Sequence, residues 1–171
     1  MLTLSRTALY MPTDEEPPFY AQAEYRARND DGSEAAATWK AGADTPWNQA
    51  IGQPFRVRIR VEKSGSAATP RYGWQYSLDG LTGWTDMPPQ GATGVPVRYA
   101  DSSYLTDASP TTQQLGIGTF DAGRIYESDH ALSVTMTASG ETEVEGVFEL
   151  VSGGISPTDK VWLRVVREAT G

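Results

Sequence analysis

Between Pro54 and Lys63 the chain alternates without a break. Phe55, Val57, Ile59 and Val61 fall on one parity, and Arg56, Arg58, Arg60 and Glu62 on the other. A period of two marks an extended strand whose faces meet different surroundings, because neighbours on one helical face lie three and four residues apart instead. The run therefore predicts a sheet strand with its aliphatic row in a core and its arginine row in water.

The same period recurs along the chain. Phe19, Ala21, Ala23, Tyr25 and Ala27 predict a first strand that Asn29-Asp30-Asp31-Gly32 ends. Leu132, Val134, Met136 and Ala138 predict another, up to Ser139-Gly140. Thr142, Val144, Gly146, Phe148 and Leu150 then alternate with Glu141, Glu143, Glu145, Val147 and Glu149. Val161, Leu163 and Val165 face inward on the last strand, with Lys160, Trp162, Arg164 and Val166 outward. Val97 to Tyr99 reads as a short edge strand.

From Arg71 to Met87, Trp74, Tyr76 and Leu78 alternate with polar residues until Asp79-Gly80 turns the chain towards Trp84. This predicts a hairpin whose two indoles enter one core. The seventeen glycines and eleven prolines favour short strands joined by turns. These spacings predict an all-β fold, an antiparallel β-sandwich or jelly roll formed by residues 19–171, with Trp74, Tyr76, Phe148 and Leu163 in a common core. Residues 29–53 read as an irregular insertion or an edge-covering segment, with Trp39 and Trp47 plugging the edge of the core.

Residues 1–18 hold no such period. Leu2, Leu4, Leu9, Tyr10 and Met11 are apolar, yet the domain's own sheets have no pattern with which to bury them, and Thr13-Asp14-Glu15-Glu16-Pro17-Pro18 follows. This stretch is expected to be an N-terminal assembly arm that packs on neighbouring subunits.

The arginine row Arg56, Arg58 and Arg60 and the carboxylate row Glu141, Glu143 and Glu145 are complementary. They predict antiparallel neighbours joined by a cross-strand ladder on a wet face, where each pair contributes about 0.2–1 kcal/mol and acts mainly on register.

Little in the chain points to chemistry. With no cysteine, thiolate zinc sites, disulfides and cysteine nucleophiles are excluded. His130, the single histidine, has no partner at ligand spacing and reads as a surface residue. The pairs Glu15-Glu16 and Asp30-Asp31 lack the spacing of a calcium loop. Leu115-Gly116-Ile117-Gly118 has the glycines of a phosphate loop without the Gly-Lys-Ser/Thr that follows in one, so it reads as a turn or bulge. No catalytic residue, cofactor or metal site is expected. A net charge of −8 argues against a nucleic-acid partner, and the absence of an 18-residue apolar run argues against a membrane-spanning helix.

Several short segments together resemble a group of tailed-bacteriophage virion proteins. These are Ala37-Thr38-Trp39-Lys40-Ala41, the strand Phe55 to Val61, Trp74-Gln75-Tyr76-Ser77 with Trp84-Thr85-Asp86, Thr111 to Leu115, Thr142 to Glu145 and Val161 to Val165. The resemblance spans Ala37 to Val166. It implies an immunoglobulin-like or related β-sandwich displayed on a virion, without enzymatic activity. An acidic, cysteine-free domain with a separate arm suits a capsid decoration protein that clips onto the head. It would be synthesised in the host cytoplasm, form a homo-oligomer with a trimer favoured, and have phage capsid proteins as partners. A tail-tube or tail-tip component is the alternative within this class. A carbohydrate-binding module is the alternative outside it, with Tyr10, Tyr20, Trp47 and Trp162 as candidate stacking rings.

Overall fold

The computed structural model describes residues 18–128 and 130–168, and within them ten strands form two sheets. In chain order these are β1 (Phe19–Asn29), β2 (Phe55–Ser64), β3 (Arg71–Ser77), β4 (Thr85–Asp86), β5 (Val97–Tyr99), β6 (Phe120–Asp121), β7 (Ile125–Tyr126), β8 (Leu132–Ser133), β9 (Glu141–Leu150) and β10 (Trp162–Glu168). The larger sheet runs β1-β2-β9-β5, with β6 and β7 also paired to β9. The smaller runs β10-β3-β4, with β8 paired to β3. The fold is all-β. Every pairing is antiparallel except the two-residue contacts of β6 and β7 with β9. Between those two strands, Gly123 lies so close to β9 that a Cβ there would sit 1.9 Å from the Glu143 carbonyl oxygen.

Both sheets contribute to one apolar core. Phe55, Val57, Ile59, Val144 and Phe148 come from the larger sheet, and Tyr72, Trp74 and Val165 from the smaller, with Tyr76 and Leu163 packed against them. Trp74 stacks edge-on to Phe148 at 5.0 Å between ring centroids. Gly146 makes room for this pair, since a Cβ on it would come within 2.2 Å of the Phe148 ring and 3.0 Å of the Trp74 ring.

The structure departs from the sequence expectations in four elements of the fold. β3 ends at Ser77, and Leu78 turns outward, 53 % exposed, because the Ser77 and Asp79 side chains accept the N–H groups of the next residues and curl the chain into a tight loop. Trp84 is not a core indole; it lies half-buried on the outer face, under the Arg164 guanidinium at 4.1 Å. Of the expected strand at 131–138, only β8 and a bridge from Met136 to Ala68 pair, although Val134 and Met136 reach the core as their parity requires. Trp47 packs against the core at Phe55, whereas Trp39 lies against β1 with Arg26 and Arg28 stacked on it at 4.4 and 4.5 Å. The expected arm residues Leu2, Leu4, Leu9, Tyr10 and Met11 lie outside the described residues.

Candidate functional site

β2 and β9 pair along their length, with Arg58 opposite Glu145 and Arg60 opposite Glu143. The arginine and glutamate rows therefore meet across adjacent strands. The wet face expected for them does not exist: Arg28, Arg56, Arg58, Glu143 and Glu145 are each 0 % exposed and Glu141 is 5 % exposed. Two segments distant in sequence lie over this face of the larger sheet, residues 30–37 after β1 and residues 111–118 ahead of β6.

Each buried charge is met by named partners. Arg58 donates from Nε to Glu145 Oε2 at 2.5 Å and from Nη1 to Glu143 Oε2 and to the Thr112 carbonyl, and its Nη2 donates to Glu34. Arg28 donates to Glu145 Oε2 at 3.2 Å and to the carbonyls of Glu34 and Ala37. Arg56 donates to Asp30 and to the carbonyl of Gly32, and lies 3.7 Å from Glu145 Oε1. At the rim, Arg60 donates to Glu141 at 3.0 Å and to Glu62. The covering segments thus supply carbonyls and carboxylates that three guanidinium groups need once water is excluded.

The glycine loop completes the layer from the opposite sign. Glu143 Oε1 accepts the N–H groups of Gln114, Leu115 and Gly116 at 2.8, 2.7 and 3.1 Å, and Glu141 Oε1 accepts that of Gly118 at 2.9 Å. Successive amides aimed at one point make an anion cradle. Here the anion is the chain's own glutamate. Gly116 is needed because a Cβ would sit 1.9 Å from Glu141 Oε1. The signal for this cradle was present in the glycine spacing, but its occupant comes from 27 positions further along.

The electrostatics follow from these contacts. Burial disfavours the Glu34 charge, but Arg58 and the Thr112 N–H outweigh it and hold the carboxyl below its ordinary range. Burial likewise opposes ionisation of Glu141, and the Gly118 N–H, the Gln113 amide and Arg60 outweigh it. Burial lowers Arg28, with Glu145 opposing; for Arg58, Glu145 and Glu34 override burial and raise it. Glu127 behaves differently. Burial pushes its carboxyl up and Asp107, Asp101 and Asp30 add to the effect, against one hydrogen bond from the Ser102 N–H.

This layer ties loops to a sheet; its carboxylates face arginines and backbone amides. Ser128 Oγ donates to Asp107 Oδ2 at 2.6 Å and lies within hydrogen-bond distance of His130 Nδ1. Among the described residues no group of three or more His, Cys, Asp or Glu side chains is placed to hold a metal ion. The candidate stacking rings do not share a platform. Tyr20 packs edge-on against Tyr72, Trp47 packs on Phe55 at the other end of β2, and Trp162 covers the turn at Gly80. Tyr10 lies outside the described residues.

What the layer presents outward is an ordered surface. Ile117, between the tethered residues Gly116 and Gly118, is fully exposed. Beside it, Phe19, Ala21, Gly118 and Thr119 line an open cleft of about 320 Å³ together with the charged Glu62, Lys63 and Glu141, and Phe19 is 44 % exposed. Comparison of the chain with protein-family models, curated proteins and solved structures gives no match to any of them.

Proposed function

We propose that the chain is a non-enzymatic structural protein of a tailed-phage virion, built as an immunoglobulin-like antiparallel β-sandwich, and that it decorates the outer surface of the head. The observation that carries the reading is Ile117. An aliphatic side chain at full exposure, on a loop that two glutamates hold by four backbone N–H groups, is a pre-organised contact that loses little entropy when a partner covers it. The exposed Phe19 and the adjoining cleft extend the same surface. The segment resemblance over Ala37 to Val166 supplies the class of particle, and the buried charge layer gives the surface its rigidity.

Mass spectrometry and gel densitometry of purified virions test the reading. A copy number that matches the shell lattice is expected. A few copies per particle would move the protein to the tail tube or tail tip, and its absence from particles would overturn the virion reading altogether.

A further inference from the structure

β1 and β10 are the terminal strands of their two sheets, and they end the sheets on the same side of the molecule, where Gln22 Oε1 of β1 accepts the N–H of Val165 on β10 at 3.2 Å. The C-terminal half of the β1 edge is covered. Asp44 exchanges hydrogen bonds with Tyr25, Lys40 donates to the Ala27 carbonyl, and Asn29 donates to that of Thr38. Tyr25, Ala27 and Asn29 therefore turn their backbone groups outward. A bulge between Gln22 and Glu24 shifts the register with β2 by one residue, so nearer the N-terminus it is Tyr20 and Gln22 whose backbone groups face outward. Among the described residues no strand pairs with that half of the edge.

An unpaired edge of this kind is a template for another strand. Next to it lies an open cleft of about 340 Å³ lined by Pro18, Tyr20, Thr69, Pro70, Arg167 and Glu168. The Arg167 guanidinium sits over the Tyr20 ring at 5.2 Å, and Arg167 makes no ion pair among the described residues. The edge therefore offers backbone groups, an aromatic wall and an unpaired cation.

Residues 1–17, outside the described residues, lead directly into Pro18 at the rim of this cleft. Their composition matches it, with Leu2, Leu4, Leu9, Tyr10 and Met11 for the cleft and Asp14-Glu15-Glu16 for Arg167. Their sequence disfavours a tight turn back onto their own edge. Each proline of Pro17-Pro18 disfavours the α region for the residue before it, and a proline φ near −65° is incompatible with the positive φ of a two-residue hairpin turn. Seventeen residues reach at most roughly 60 Å when extended, far enough to arrive at a neighbouring copy. We infer that the β1/β10 edge receives residues 1–17 of a second copy, added as a strand beside Tyr20–Gln22, so that copies are joined by exchanged N-terminal segments. The inference goes beyond the virion reading and is read in solution with no particle present, so either can fail without the other.

Light scattering on the full chain after size exclusion is the first measurement, with a mass that is a multiple of 18.5 kDa expected. Two full-chain variants then probe the edge. Gln22→Pro removes an outward N–H without touching the ladder to β2, and Arg167→Glu reverses the charge at the cleft; both are expected to shift the mass to 18.5 kDa with the thermal transition retained. Gln22→Ala is the control for the first, because it removes only the side-chain acceptor of the Val165 N–H, and is expected to keep the oligomer. Because the chain has no cysteine, mixing a Leu4→Cys population with a Thr69→Cys population reports crossing between copies as a mixed disulfide of twice the chain mass. A monomeric full chain at the highest attainable concentration overturns the inference. So does an oligomer that survives in whichever of the two variants folds, or a Leu4→Cys/Thr69→Cys double variant that closes its disulfide within one chain.

Discussion

Glu145 on β9 accepts a hydrogen bond from Arg58 on β2, Oε2 to Nε 2.5 Å, and solvent reaches neither side chain. A second guanidinium, Arg28, shares the same oxygen at 3.2 Å. The pair belongs to a buried polar layer on the face of the larger sheet opposite the apolar core, and that location changes its energetics. Exposed pairs contribute about 0.2–1 kcal/mol, whereas removing one partner of a buried pair leaves a charge without water or counter-charge, at about 3–5 kcal/mol.

Glu145→Ala is therefore expected to lose about 3–5 kcal/mol of unfolding free energy, measured by urea denaturation. Glu149, whose partner Arg98 is a fifth exposed, provides the contrast. Glu149→Ala should change stability by no more than about 1 kcal/mol. Equal effects for the two would mean that the layer is hydrated in solution.

Trp74 and Trp84 should separate in the same way. Trp74 is 2 % exposed and in ring contact with Phe148, so Trp74→Ala is expected to cost about 3–5 kcal/mol. Trp84→Ala loses a half-buried ring and one stacking contact with Arg164, for which about 0.5–1 kcal/mol is expected. Thermal midpoints of the two variants give the ordering directly.

Acid should act on the fold with two signs. Glu34 and Glu141 titrate below their ordinary range, so the stability they contribute is present above the unfolded-state value near 4.5 and is lost as pH falls through their lowered folded values. Glu127 is raised, so its contribution is full below the unfolded-state value and is lost as pH rises through the folded one. Glu127→Gln keeps an acceptor for the Ser102 N–H and removes the charge facing Asp107, Asp101 and Asp30. Its thermal midpoint should exceed that of the natural chain at pH 7, and the gap should close below about pH 4. A gap that is constant with pH would exclude a charge effect.

Ile117→Asp should leave stability within about 0.5 kcal/mol, since the side chain is fully exposed and no packing is removed. On the proposed function, the same substitution should sharply reduce rebinding to virions stripped of the protein. Unchanged rebinding with unchanged stability would remove Ile117 from the contact surface.

The alternation in β2, β3, β9 and β10 was legible residue by residue, because a strand's period is a local property of the extended backbone. In β1 the bulge between Gln22 and Glu24 switches the parity, so Tyr25 and Tyr20 pack on the core and Phe19 faces out. The meeting of the arginine and glutamate rows was legible too, since charge complementarity across a ladder needs only the two strands' own sequences. What covers a face is not local. Periodicity reports that Arg56, Arg58 and Arg60 share a face, and the same period would arise whether that face met water or other chain segments. Residues 30–37 and 111–118 decide it, by folding from far along the chain to supply the Gly32, Ala37 and Thr112 carbonyls and the amides that cradle Glu143. The glycine loop followed the same rule: its spacing shows that amides converge, and only the tertiary structure places Glu143 among them, because an anion cradle binds whichever carboxylate the fold brings within 3 Å.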